Sequence, residues 1–438
     1  MNKIPQIARA MQEVLTVESE QAGRESRFVQ REAKLDGASF IQTLVFSWMA
    51  NPEASLEEMT QTAAIFDVEI SPQGLDQRFT PEAAACAKQV LEAAVKRLLG
   101  KEPSSLPILK RFTGVYLQDS SIIVLPDELK ELWPSCGGDT SGAALKVQVR
   151  LELRSGQLEG PYLHAGREQD LSAEVQHLPM PRGSLRLADL GYWSVKRFAE
   201  IEHTGSYVLS RVHAGTEIFS PSGEQLDFAG FLQSQTGNQF EMEIELSCSH
   251  RWPCRLMGQR VPPQVSAERR RKLWQTAHKK GTTPSQRQLT FCDWNLIVTN
   301  IPAHMLTLEE ALVLLRVRWQ IELCFKFWKS QGRVDESRSK KPYRVLCEVY
   351  TKLLALLIQH WILLTGNWSH VQQSLFKAGK VMQKKAWHLA SALHNLSDLC
   401  EVLTEIEQVI ARSCRINKRK KRPSTFQRLH EASMEALA

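Results

Sequence analysis

Residues 316–329 read RVRWQIELCFKFWK. At 3.6 residues per turn, Arg318, Glu322, Lys326 and Lys329 fall on one face of a helix, while Leu323 and Phe327 point elsewhere. The spacing predicts one long helix carrying a carboxylate among three cations. A salt-bridged surface stripe has this pattern. So does a site in which the acid holds a metal ion and the bases hold a phosphate backbone.

Upstream the periodicity changes from helical to alternating. Residues 112–124 form a β-like run with Asp119 in its middle, and residues 145–153, LKVQVRLEL, alternate as a half-buried strand does. Gly156 makes a turn, residues 158–164 give a third strand and residues 171–177 a helix. Residues 184–189, SLRLAD, are a fourth strand ending on Asp189. A β-β-β-α-β order opens an RNase H-like core, an α/β fold with helices on the faces of a mixed sheet. Its first and fourth strands are neighbours, so Asp119 and Asp189 would emerge side by side, with Glu322 supplied by the helix. Three carboxylates suit Mg²⁺, and two such ions about 4 Å apart serve phosphodiester chemistry. An Asp at a strand end is more often a turn or cap residue. The specificity lies in the helix.

That helix, Arg318-Trp319-Gln320-Ile321-Glu322 followed by Phe325-Lys326 and Trp328-Lys329, resembles the signature of the insertion-sequence-four family of bacterial DDE transposases. The family pattern is Tyr, two residues, Arg, three residues, Glu, six residues, Lys. Arg318, Glu322 and Lys329 match it, and Leu315 stands at the tyrosine position. Asp119-Ser120 and Asp189-Leu-Gly191-Tyr192 are similar to the family's first and second acid motifs, and residues 292–302, CDWNLIVTNIP, to the strand before its glutamate helix.

The resemblance covers residues 105–365. It implies a DNA-cutting and DNA-joining enzyme with Asp119, Asp189 and Glu322 as catalytic metal ligands for two Mg²⁺ ions, Mn²⁺ being able to substitute. It further implies Arg318, Lys326 and Lys329 on DNA phosphates, and Trp294 stacked on a base flipped from the duplex. A packing role for Trp294 is the alternative. Cleavage through a hairpin, strand transfer into target DNA and a homodimer assembled on the terminal inverted repeats are the remaining implications. A degenerate, transposase-derived DNA-binding protein is the alternative function, and a nuclease or resolvase with the same core is another.

Around this core the chain reads as further segments. Residues 1–104 are helical, a DNA end-binding region, with Ser55 and Glu58 as a capping box and Ser71-Pro72 opening another helix. Residues 56–79 fit a helix-turn-helix presenting Gln73, Gln77 and Arg78, or a plain bundle. Residues 105–204 hold the first part of the core and residues 205–303 a mainly β insertion. Residues 304–365 complete the core, and residues 366–438 are a helical region with a basic tail.

The composition agrees with a soluble nucleic-acid enzyme. The formal net charge is +7, with basic clusters at 269–272, 278–280, 338–341 and 418–422. These are interleaved with Trp252, Trp274, Trp294, Trp319 and Trp328, whose flat faces suit bases as well as cores. Nine scattered Cys fit a reducing cytosol, and Cys248, His250 and Cys254 lack the paired spacing of a zinc site. Residues 1–15 have no apolar signal core, and residues 345–364, interrupted by Glu348, Lys352, Gln359 and His360, read as a buried helix rather than a membrane span. The expected location is cytoplasmic, on the nucleoid, with no membrane partner.

Overall fold

Capping chemistry sets the starts of the N-terminal helices. Helix α1 (Ile4–Glu13) passes through a π-turn at Val14–Glu18 into α2 (Ser19–Glu25). Helix α3 (Gly37–Ala50) begins at Asp36, whose carboxylate accepts from the Ser39 amide at 2.7 Å while the Ser39 hydroxyl accepts from the Asp36 amide at 3.0 Å. The expected Ser55/Glu58 box opens α4 (Leu56–Ala64), at 3.2 and 2.7 Å. Ser71 caps α5 (Pro72–Asp76) and Thr80 caps α6 (Pro81–Val95), each with proline in the first turn, where its missing N–H costs nothing. The computed structural model describes residues 3–31, 34–100, 106–137, 141–247, 249–365, 373–416 and 427–431.

After α7 (Pro107–Lys110) come β1 (Val115–Leu125), β2 (Ala143–Glu152), β3 (Leu158–Ala165), β4 (Leu185–Ala188), α8 (Val195–His203), β5 (Tyr207–Arg211) and β6 (Ile218–Phe219). Helix α9 (Phe228–Ser234), β7 (Gln239–Leu246), β8 (Trp252–Arg260), α10 (Pro263–Lys279), α11 (Gln286–Phe291) and β9 (Trp294–Thr299) follow. The remaining elements are α12 (Leu308–Val317), α13 (Trp319–Ser330), α14 (Pro342–Leu363), α15 (Leu375–Ala392) and α16 (Leu396–Ser413). The strands form one mixed sheet in the order β3-β2-β1-β4-β5-β9-β8-β7-β6. Strand β4 is parallel to both β1 and β5, whereas β9 is antiparallel to both β5 and β8.

Two compact units divide the chain. The first comprises residues 1–105, 119–175 and 320–426, and the second residues 106–118, 176–319 and 427–438. In the first, α14 is buried from Val345 to Leu363 and packs against α3 and α6. By length and composition it could cross a membrane, yet its apolar window lies wholly inside this unit. Its polar groups are satisfied from neighbours: Thr351 accepts from the Trp48 indole at 3.1 Å and the Tyr350 hydroxyl from the Trp133 indole at 3.0 Å. In the second unit α8 and α9 cover the sheet, with Phe198, Phe228, Leu246, Trp252, Leu256 and Val298 in the shared core.

Three expectations need correction. Residues 171–177 are not an α-helix but belong to two short 3-10 turns, Asp170–Ser172 and Glu174–Gln176. Strand β5 was expected in the insertion, but it follows α8 back to lie parallel beside β4, so the added strands begin at β6. Alternation reports which residues share a face, not which strand lies alongside. Strand β2 is buried along its whole length rather than on one face. Its polar residues have partners outside the strand, as in the Arg150–Glu159 pair at 2.5 Å.

His360 gives the first unit a pH dependence. Its imidazole is buried, with Nε2 2.7 Å from the carbonyl of Gly156, and burial pulls its pKa down to about 4. Because the folded value lies below the unfolded one, the unfolded chain takes up the proton first. Stability is therefore complete above pH ~6.5 and is lost as pH falls from there toward 4, by up to about 3 kcal/mol. Urea midpoints measured across that window should fall for the wild type and fall less steeply for His360→Gln, which keeps a donor but does not titrate. Parallel curves would exclude this role.

Candidate active site

Two of the three expected acids belong to the first unit. Asp119 lies on β1, where one carboxylate oxygen accepts from the Ser120 amide at 2.9 Å. The Ser120 hydroxyl donates to Asp170 at 3.0 Å, and Asp170 also takes the Gln148 amide at 3.1 Å and the Lys146 ammonium at 3.3 Å. This group behind Asp119 was missed in the sequence. Its signal was the polar half of LKVQVRLEL, read as facing solvent.

Glu322 sits in the first turn of α13 and is half-buried. The helix is fixed by what packs behind it. A Cβ on Gly379 of α15 would come within 2.4 Å of the Phe327 ring, so only glycine lets that ring lie on the α15 backbone. Phe376 meets Phe327 edge-on at 5.9 Å. At the far end of α13, Lys329 donates to the carbonyl of Ile122 at 3.0 Å and faces Asp335 at 3.7 Å, tying the helix to β1 three residues past Asp119. Lys329 thus has structural partners, and Lys326 is the exposed cation of the pair. Burial pushes the Cys324 thiol up to about 12, which keeps it out of nucleophilic and ligand chemistry.

The stretch read as one helix is two. Arg318 is the C-cap residue of α12 and falls between it and α13, at φ −49° and ψ −29°. Those angles are helical, so the four-residue pattern passes through the join unbroken, and no Gly or Pro marks it.

The third acid, Asp189, belongs to the second unit. It directly follows β4, and its carbonyl accepts from the Tyr192 amide at 2.9 Å in a single 3-10 turn. The parallel pairing of β1 with β4 ends at Gln118↔Ala188. The next residue on each strand is an acid, Asp119 on one and Asp189 on the other. Among the described residues no three His, Cys, Asp or Glu side chains stand grouped as a ready metal site.

Trp294 is packed in this structure, as in the alternative role given for it above. It is 3% exposed, meets Phe240 edge-on at 5.3 Å and is covered by the Arg260 guanidinium at 4.5 Å. At 3% exposure the ring offers no open face to a base. Trp274 and Trp319, at 49% and 50%, are exposed. Cys254 is buried on β8, while Cys248 and the basic cluster 418–422 lie outside the described residues.

Known proteins are similar to this chain. The family described as Transposase DDE domain matches residues 110–358. The transposase for insertion sequence element IS231F of Bacillus thuringiensis subsp. israelensis is 25% identical over 435 residues, covering 93% of this chain and 91% of the relative. That for IS1151 of Clostridium perfringens is 25% identical over 398 residues, covering 83% and 82%. That for IS231C of Bacillus thuringiensis subsp. berliner is 26% identical over 418 residues, covering 91% and 85%. A family match spanning both strand acids and the glutamate helix, with relatives aligned along most of their length, settles the membership: the chain belongs to the transposase DDE-domain family, in its insertion-sequence-four-like group.

Proposed function

We propose that this transposase cuts and rejoins DNA at the ends of its own insertion sequence, using Asp119, Asp189 and Glu322 on an RNase H-like core. The observation that carries the reading is the register at the end of the β1–β4 pair, where each parallel strand continues into an acid. The order β3-β2-β1-β4-β5, with β2 and β3 antiparallel and α8 crossing from β4 to the parallel β5, supports the same core.

The donor chemistry fits a hard divalent cation. All three groups are carboxylates, with no thiolate or imidazole among them, which suits Mg²⁺ or Mn²⁺. Three anionic side chains repel one another until a cation neutralises them, so the fit rests on donor type rather than on prior grouping. When bound, a pair of such ions supplies activation of the attacking oxygen and neutralisation of the departing one.

The chain's own residues then hold and orient DNA. Arg318, Lys326 and Lys329 bind phosphates beside the cut, and the α13 anchorage keeps Glu322 aligned with them. Water attacks the end phosphodiester, a P–O bond breaks, and a 3′-hydroxyl is released. That hydroxyl attacks the opposite strand to close a hairpin, water opens it, and the same hydroxyl then joins target DNA. Each step forms one P–O bond and breaks one. Helices α4 and α5 recognise the terminal repeats, and two copies assemble on paired ends in the cytoplasm.

Leu315, in place of the family tyrosine, favours a second reading in which the chain grips DNA without cutting it. The two separate on a labelled duplex carrying the element's end, incubated with the purified protein in Mg²⁺, in Mn²⁺ and with chelator. Nicks and hairpins that vanish with chelator are expected. Stable binding with no cut in either metal would replace the catalytic reading with the binding one.

A further inference from the structure

Helix α10 is long, charged and almost unpacked. Of its 17 residues only Ser266 and Ala277 are buried, so no apolar face accounts for it in this chain. It is held by polar struts along one edge. The Ser266 hydroxyl donates to Asp293, Arg270 pairs with Asp293 at 2.6 Å, and Arg269 donates to the Trp294 carbonyl at 2.9 Å and to Asn295 at 2.6 Å. Ser266, Arg269, Arg270, Leu273 and Ala277 form this inner stripe at helical spacing.

The opposite face carries Gln264, Glu268, Arg271, Gln275 and His278, with Trp274 on its flank at 49% exposure. Lys272, 67% exposed, pairs with Glu268, and Lys279 and Lys280 extend the charge past the C-terminus of the helix. The face therefore has a large positive excess, amide and imidazole groups able to reach base edges, and one exposed ring.

We propose that α10 docks in the major groove of duplex DNA and adds a sequence-reading contact outside the cleavage carboxylates. This rests on the DNA-processing function proposed above. An α-helix of ~10–12 Å diameter fits a groove about 12 Å wide, and 17 residues span about 25 Å. The struts at Asp293 and Asn295 keep the helix from yielding when DNA presses on it. A second copy of this chain would need an acidic or apolar counterpart; the charge selects a polyanion.

The test uses the full chain, anisotropy on the element's end duplex and a salt series. Replacing Arg271, Lys279 and Lys280 together by Ala should lower affinity roughly 10–100-fold near 0.1 M salt and make the log–log salt slope shallower by about 2 to 3. Trp274→Ala and Gln275→Ala should weaken the end duplex more than a scrambled duplex, with the slope unchanged. An unchanged affinity and slope in the triple variant would overturn the proposal. So would an equal loss on single-stranded DNA, or a shift in oligomeric state without a change in DNA affinity. If the wild type binds but does not cut, the catalytic reading fails while the α10 result stands. If it cuts and the triple variant binds as tightly, only the α10 proposal fails.

Discussion

Glu322→Gln leaves the protein folded and bound to its element's end while strand cleavage falls roughly a thousandfold or more. The amide is nearly the same size as the carboxylate, and Glu322 is half-buried in the first turn of α13, so packing is preserved. Contacts that hold the helix are also made by other residues, Phe327 on Gly379 and Lys329 on Ile122. On the function proposed above, what is lost is one of the three carboxylate ligands, and with it affinity for the cation and neutralisation of charge during P–O bond breaking. DNA binding should hold or strengthen, because an anion near phosphates has been removed. The check is paired: single-turnover cleavage and anisotropy on the same end duplex. A variant that cuts at the wild-type rate would remove Glu322 from the site. One that neither cuts nor binds would make its role structural.

The proposed acids rest on two sequence signals, carboxylates within or at the end of a strand and a glutamate spaced among cations. Asp119 was read in the middle of a strand and Asp189 at the end of one; Asp119 lies within β1 and Asp189 directly follows β4, one residue past Gln118↔Ala188. The break at Arg318 was not legible. Its backbone angles remain helical, so the pattern runs through it.

Burial was the weakest inference, because periodicity does not reveal what covers a face. Lys146 and Gln148 alternate with apolar residues as surface groups do, yet the 3-10 segment carrying Asp170 folds over them. Trp294 shows the converse. Its position at the head of a strand was identifiable, but Phe240 and Arg260, which enclose it, lie on β7 and β8. The capping residues were read correctly for the opposite reason: Ser55 and Glu58 act on backbone within three residues of each other.

The buried lysine of α14 carries the second large effect, on stability. Lys352 and Glu348 have side chains 2% and 5% exposed and meet at 2.9 Å. Lys352 also donates to the carbonyls of Arg333 and Glu336, each at 2.9 Å, and its ammonium lies 4.9 Å from the centre of the Trp48 ring. Burial draws its pKa below the ordinary lysine value, opposed by Glu348, so the charge is kept by its partners rather than by water. Removing one partner strands the other. Lys352→Met should leave the buried Glu348 without its ion-pair partner, beside the Ser337 hydroxyl, and two carbonyls without this donor, at a cost of about 3–5 kcal/mol. For a unit of this size that corresponds to a Tm lower by roughly 10 °C. Lys352→Met with Glu348→Leu should recover most of the loss, since no isolated charge remains. The two carbonyls belong to the segment leading out of α13, so the double variant separates stability from positioning. Restored Tm with slow cleavage would mean that Lys352 also holds the glutamate helix in place. Restored Tm with normal cleavage would confine it to the core, and a single variant as stable as wild type would show that water reaches the pair.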